Sequence, residues 1–394
     1  MIQNYQKSEK FIAFAVLLQS FLVILQQTLI SVFYLQAEST TIYRVILTAI
    51  PLSVAIIITL YRKWQTFLLV YVITILILLF NIIIFPQNEV FLKLNSLRFL
   101  LPVVIPSALC LMYISSIDVI ESVLYKISWF TFFLALFYVI SYLRGGFLIT
   151  GYSMSFSYGL LLPMLSLYSK KNLYSVIASI LLFLIVLGIG SRGAAIVFMM
   201  FVAYDIFQSN KKLIIPAFIL IGIFILSLTT LANWFESIGI SSRTLNLIIS
   251  DNLGHTSGRE LIYDKMIDVF WDNPIKGIGL FGDRYYLDGA YTHNLFLELY
   301  LNWGIIVGTL ILFFFVWKFI LTYRRTDKKN RNILVKYLLA SVAPLMVSGS
   351  YLVDYDLGIF IGILFLVSRE NKKNRVFYEK KITTNNTNHI KIIS

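Results

Sequence analysis

The stretch 257–308, SGRELIYDKMIDVFWDNPIKGIGLFGDRYYLDGAYTHNLFLELYLNWGIIVG, passes without a break from polar, turn-rich chain into an apolar helix. It closes the one long polar segment, residues 233–293, of a chain that is otherwise oily. Apolar runs of roughly 17 to 25 residues recur from Phe11 almost to the C-terminus, each long enough at ~1.5 Å per residue to cross a hydrocarbon core of about 30 Å. Composition agrees: 58% of the 394 residues are hydrophobic and 13% charged, about half the charged share of soluble domains. The mean hydropathy is +0.81. The expected fold is an all-α polytopic membrane bundle with a large loop between two of its spans.

About twelve spans are expected, at 11–34, 44–61, 66–85, 97–115, 127–143, 153–168, 173–190, 193–207, 213–232, 294–322, 333–351 and 356–367. The first apolar run lacks a small-residue cleavage site and exceeds a signal peptide in length, so it is expected to stay as a helix. Lys and Arg gather in alternate loops: Lys7 and Lys10, Arg62 and Lys63, Lys126, Lys170 and Lys171, Lys211 and Lys212, and the cluster from Arg324 to Arg331. The intervening loops are poor in them; 36–40 has none and 86–96 only Lys93. Both termini are therefore expected in the cytoplasm and the 233–293 loop outside. The chain divides into 1–232 with spans one to nine, the extracytoplasmic loop 233–293, 294–368 with spans ten to twelve, and a basic tail, 369–394.

The net charge of +13 is that topological bias with some attraction to anionic lipid, and gives no ground for nucleic-acid binding. Cys110 is the single cysteine, so disulfides within the chain and cysteine-based metal sites are excluded. His255, His293 and His389 make no local metal motif, and no D-x-D-like acidic cluster is visible. Neither a metal nor another cofactor is expected. No internal repeat suggests an inverted-repeat transporter.

Within the polar loop, Ser257 and Glu260 fit a capping box. Ile262, Met266, Val269 and Phe270 follow at helical spacing until Asn273-Pro274 stops the run. An amphipathic helix is expected on the outer membrane surface or over a cavity mouth. Arg259 stands in its first turn, where a cation opposes the helix dipole and so suggests placement for a ligand over a merely solvated side chain. Gly277, Gly279 and Gly282 spell G-x-G-x-x-G, yet no strand precedes them and no helix opens from them, so the dinucleotide reading fails. A sharp turn bringing backbone close to a bound group is expected instead, with Arg284 at its exit. His293 then sits at the water–lipid boundary with the side chain best suited to accept a proton near neutral pH. Asn294, Glu298 and Asn302 form one polar stripe on the incoming helix, expected to face the bundle or a wet cavity. Upstream, GIGSRGAA (188–195) makes a tight turn in which Arg192 either snorkels to headgroups or lines an outward cavity. Arg98 and Arg144 carry the same signal more weakly, and Asp354 with Asp356 offers carboxylates for one of these arginines.

Together, SRGA at 191–194, SGR at 257–259, DNPIxGIGL at 272–280 and THNxFLE at 292–298 followed by WGIIVG resemble the O-antigen ligase and Wzy-type polymerase family. The resemblance covers about 188–308. It implies a GT-C-like membrane glycosyltransferase acting on undecaprenyl-diphosphate-linked glycans at the outer face of the bacterial plasma membrane. Carried over by motif, Arg192 and Arg259, with Arg284 less securely, would bind the donor diphosphate and His293 would assist the acceptor hydroxyl; Asn294 and Glu298 would support it. Residue chemistry agrees. Arginine is always protonated and presents a planar fork to phosphate oxygens, so cationic side chains can neutralise a diphosphate leaving group without a metal.

The leading expectation is a polymerase that joins lipid-linked oligosaccharide repeat units into capsular or exopolysaccharide. Its partners would be the lipid-linked donor and acceptor and the bilayer, with a flippase and a chain-length regulator as further candidates. The alternatives are an O-antigen-ligase-like transfer of the finished glycan to another acceptor, and a lipid-linked sugar transporter or flippase. The transporter would need polar or broken helices near mid-membrane, whereas the polarity here concentrates in one loop.

Overall fold

The computed structural model describes residues 2–143, 154–189, 191–209, 228–237 and 259–372. Among these residues every regular element is helical. In chain order they are α1 (Ile2–Phe33), α2 (Ala37–Ile84), a 3-10 turn (Pro86–Asn88), α3 (Glu89–Asn95), a π-helical stretch (Ser96–Val104) and α4 (Ile105–Met112). Then come α5 (Ile117–Leu143), α6 (Met154–Ser169), α7 (Leu173–Ile189), α8 (Arg192–Ser209) and α9 (Leu228–Ser237). The last are α10 (Arg259–Asp272), α11 (Gly282–Tyr286), α12 (Leu295–Arg325), α13 (Lys328–Leu345) and α14, residues 355–372.

Among the described residues, five stretches are long and apolar enough to cross a membrane: Tyr5–Phe33, Ala37–Ile84, Pro86–Met112, Ile117–Ser141 and Leu295–Arg325. The chain is a multi-pass membrane protein. Run straight, α2 would measure ~72 Å, more than twice a hydrocarbon core. Lys63 breaks it with φ −143° and ψ 36°, so the two spans expected at 44–61 and 66–85 are two limbs of one element. The expected ninth span, 213–232, lies outside the described residues except for its end in α9, and the loop 238–258 and the tail beyond 372 lie outside them as well.

The core sits where α1, α5 and α6 meet. Ala13, Ala15 and Ala135 are fully buried there; a Cβ on Gly159 would stand 3.0 Å from Ile24, so small residues let these helices approach closely. At the end bearing the basic loops, ion pairs tie elements together: Lys336 to Glu121 at 2.5 Å and Lys171 to Asp205 at 2.9 Å. By contrast α2 and α12 leave Ile57, Leu76, Phe80, Leu310 and Phe313 open, the faces that hydrocarbon would cover.

Two features set up the loop region. The first is a break in α12 at Gly304, φ 68° and ψ 175°. Backbone of the glycine loop enters this break: Ile278 N–H donates to Leu301 O at 2.7 Å, and Ile305 N–H to Pro274 O at 2.7 Å. A Cβ at Gly304 would fall 2.0 Å from Ile275 O, and one at Gly277 2.6 Å from Leu301 O, so both positions require glycine. Asn81 accepts from Leu280 N at 2.7 Å and Asn88 donates to Ile278 O at 2.7 Å, anchoring the loop to the end of α2. The close approach expected of the glycine turn is thus made to the interrupted helix. The second feature is an apolar cavity of about 720 Å³. Val104, Leu109, Leu299, Phe315, Val342 and Phe365 are among the side chains that wall it, bringing together the π-helical stretch, α4, α12, α13 and α14.

Candidate functional site

The amphipathic helix expected after Ser257 is α10; its proposed cap Ser257 lies outside the described residues. Met266 is fully buried against Ile278 and Leu301, so the apolar stripe packs on α12 and the glycine loop. That packing holds Arg259 at the N-terminal end of α10, half-buried, with its guanidinium 3.9 Å from the Met154 sulfur at the start of α6. The turn bearing Arg192 meets the same end of α6. Ser191 N–H donates to the Ser157 hydroxyl at 2.7 Å, and a Cβ on Gly193 would stand 2.4 Å from the Tyr158 oxygen. Arg192 and Arg259, far apart in sequence, therefore both lie by the first turns of α6.

His293 follows Thr292 in the turn before α12. Its backbone is left-handed, φ 56°, and its carbonyl accepts from the Tyr263 hydroxyl at 3.4 Å. The Tyr291 ring lies over the imidazole, centroids 4.0 Å apart. Nδ1 is buried and has no hydrogen-bond partner among the described residues. Burial, then the positive charges of Arg259 and Arg284, hold the imidazole pKa below its ordinary 6.5, while Asp283 acts the other way. The balance favours a neutral imidazole at pH 7, the form able to accept a proton.

Asn294 N-caps α12: its side-chain oxygen accepts from Phe296 N and Leu297 N, both at 3.1 Å. The rest of the expected polar stripe does face the bundle. Asn302 donates to the Tyr351 hydroxyl at 3.0 Å. Glu298, fully buried, is paired with Arg284 at 2.8 Å.

Arg284 itself is 3% exposed. One guanidinium nitrogen bonds Asp283 at 2.5 Å and Glu298 at 2.8 Å, the other the Ser350 hydroxyl at 2.6 Å. Its plane also lies near the Phe281 ring, 4.8 Å from the centroid. Its position is thus inside a closed network, apart from the half-buried Arg192 and Arg259. Ser350 has no warning in the sequence; Asp283 is visible there only as a carboxylate directly beside Arg284, and Thr292 only as the first residue of THNxFLE.

Of the weaker sequence signals, Arg98 is exposed in the π-helical stretch, its guanidinium over Phe99. Asp354 caps α14 by accepting from Leu357 N at 2.9 Å. Arg144 and His255 lie outside the described residues. Among the described residues no cluster of His, Cys, Asp or Glu is large enough to hold a metal.

Residues 177–313 match the family model described as O-antigen ligase. The matched segment contains Arg192, Arg259, Arg284 and His293, and it bears out the resemblance of the motifs to the O-antigen ligase and Wzy-type family. No curated protein and no solved structure matches the chain.

Proposed function

We propose that this multi-pass membrane protein, with its O-antigen-ligase match over residues 177–313, is a glycan-transfer enzyme that polymerises lipid-linked repeat units. The observation that carries the reading is the setting of His293: a half-buried imidazole whose Nδ1 has no partner among the described residues and whose pKa is lowered, with Arg259 close enough to contribute to the lowering. A base for an alcohol and a cation for a departing diphosphate are what transfer from a diphosphate-linked sugar requires.

In this reading Arg259 and Arg192 hold the donor's diphosphate, and the apolar cavity suits the hydrocarbon of an undecaprenyl carrier. The acceptor hydroxyl gives its proton to His293 as its oxygen bonds to the donor's anomeric carbon. The bond from that carbon to the diphosphate oxygen breaks, and the lipid diphosphate leaves with the electron pair. Attack opposite the leaving group inverts the anomeric centre. The same residues would serve a ligase, which differs in the acceptor alone, and the description of the matched family keeps that second reading open.

The test is reconstitution of purified protein in liposomes with undecaprenyl-diphosphate oligosaccharide, followed by gel analysis. A polymer ladder from the wild type, lost or at least ~10²-fold slower in His293→Ala, supports a polymerase with His293 as its base. A ladder untouched by the substitution removes His293 from the chemistry. No ladder, with transfer to an added non-repeat acceptor, turns the reading to the ligase.

A further inference from the structure

We propose that Asp283, Arg284, Glu298, Ser350 and Thr292 form a single buried unit that positions His293; the inference rests on the reading of His293 as a base. The unit is closed. Asp283 accepts from Arg284 through one oxygen and from both the amide and the hydroxyl of Thr292, at 3.0 and 2.9 Å, through the other. Glu298 accepts from Arg284 and from the Ser350 hydroxyl at 2.5 Å through one oxygen, and from Tyr351 N at 3.2 Å through the other. Every carboxylate oxygen has a partner, and all five residues are at most 3% exposed.

Stability alone is a weak reason for such a cluster. Taking ions out of water costs several kcal/mol each, and apolar replacements of buried ion pairs are often neutral or stabilising. What the cluster supplies is geometry. It joins four segments: the start of α11, the turn at Thr292, the first turn of α12 and the chain at 350–351. His293 stands between Thr292, gripped twice by Asp283, and Asn294, which caps α12. Both neighbours are fixed, so the left-handed residue between them has its ring direction set for it. Arg284, enclosed on all sides, acts here as a positioning residue behind the imidazole.

The experiment has two readouts. In the first, imidazole signals are titrated by NMR in nanodiscs; with His255→Gln and His389→Gln in the background, His293 gives the one remaining signal. The charged groups acting on it are Arg259 of α10 and Asp283 and Arg284 of α11, with Tyr291 stacked on the ring. In Asp283→Asn the attraction to the imidazolium is lost, so the His293 midpoint moves to lower pH. In the second, Thr292→Val, which removes one hydroxyl bond, lowers kcat by roughly 10- to 100-fold while KM holds. Thr292→Ser restores it. An unmoved His293 midpoint in folded Asp283→Asn overturns the proposal; so does full kcat in Thr292→Val. If Asp283→Asn does not fold, Thr292→Val alone decides, by kcat and by the shape of the His293 titration. A shifted titration in a protein that transfers no glycan upholds the unit and defeats the enzymatic reading, so the two failures are distinct.

Discussion

His293 occupies a backbone region that costs a non-glycine residue about 1–3 kcal/mol, and its imidazole is kept from charging by burial and by Arg259. Since the lowered pKa means the proton is held less tightly in the folded protein, transfer proceeds at full rate above the ordinary imidazole value. It falls only as pH drops through the depressed one. The acid limb of the pH–rate profile is thus expected below 6.5. In Arg259→Gln the plateau drops and the limb moves to higher pH, because a repulsion on the imidazolium is gone; ladder formation across a pH series measures both. A limb that stays in place would separate Arg259 from the base. Arg192, Arg259 and His293 were legible as functional candidates because each breaks a local rule, of dipole, topology or polarity. Arg284 was legible as a cation at the exit of the glycine turn, with a diphosphate-binding role implied by the resemblance; its enclosure was not, because its partners Glu298 and Ser350 stand 14 and 66 positions away and folding alone brings them together.

At the scale of elements, α10 and α12 carry the region; the first could be read from helical spacing and the Asn-Pro stop, the second from its apolar run. The break in α12 could not. A single glycine within an apolar run is common in membrane helices, and nothing near Gly304 announces that the chain 274–278 docks into it. The G-x-G-x-x-G pattern had the right physics, close approach of backbone, with the wrong object. Gly304→Ala places a Cβ against Ile275 O at a left-handed φ. It is expected to lower stability by well over the ~1 kcal/mol of an ordinary helix substitution. Asn294→Ala, which removes only the cap of α12, should cost about 1 kcal/mol. Thermal unfolding of the two variants in the same detergent gives the order; equal midpoints would mean that the break tolerates a side chain.

For the molecule as a whole, hydropathy revealed a helical membrane bundle directly, because lipid leaves the backbone no alternative to internal hydrogen bonding. It misdrew one connection: α2 joins two expected spans across Lys63, whereas α6, Met154–Ser169, lies within a residue of the span expected at 153–168. Sidedness is an expectation that rests on Lys and Arg counts alone, and it has a direct check. Cys110 is buried, so a cysteine introduced at an exposed site dominates labelling. Asp288→Cys is expected to react with a membrane-impermeant maleimide in intact cells, and Lys328→Cys only after permeabilisation; the reverse pattern would invert the topology. Finally, the break at Gly304 has a mechanical consequence. The glycine loop is spliced into α12 by two backbone hydrogen bonds, one on either side of the break, and that loop leads through Gly282 to Asp283. Axial load on the membrane-crossing limb of α12, such as a thicker bilayer would apply, is transmitted at the splice into the strut that aims His293.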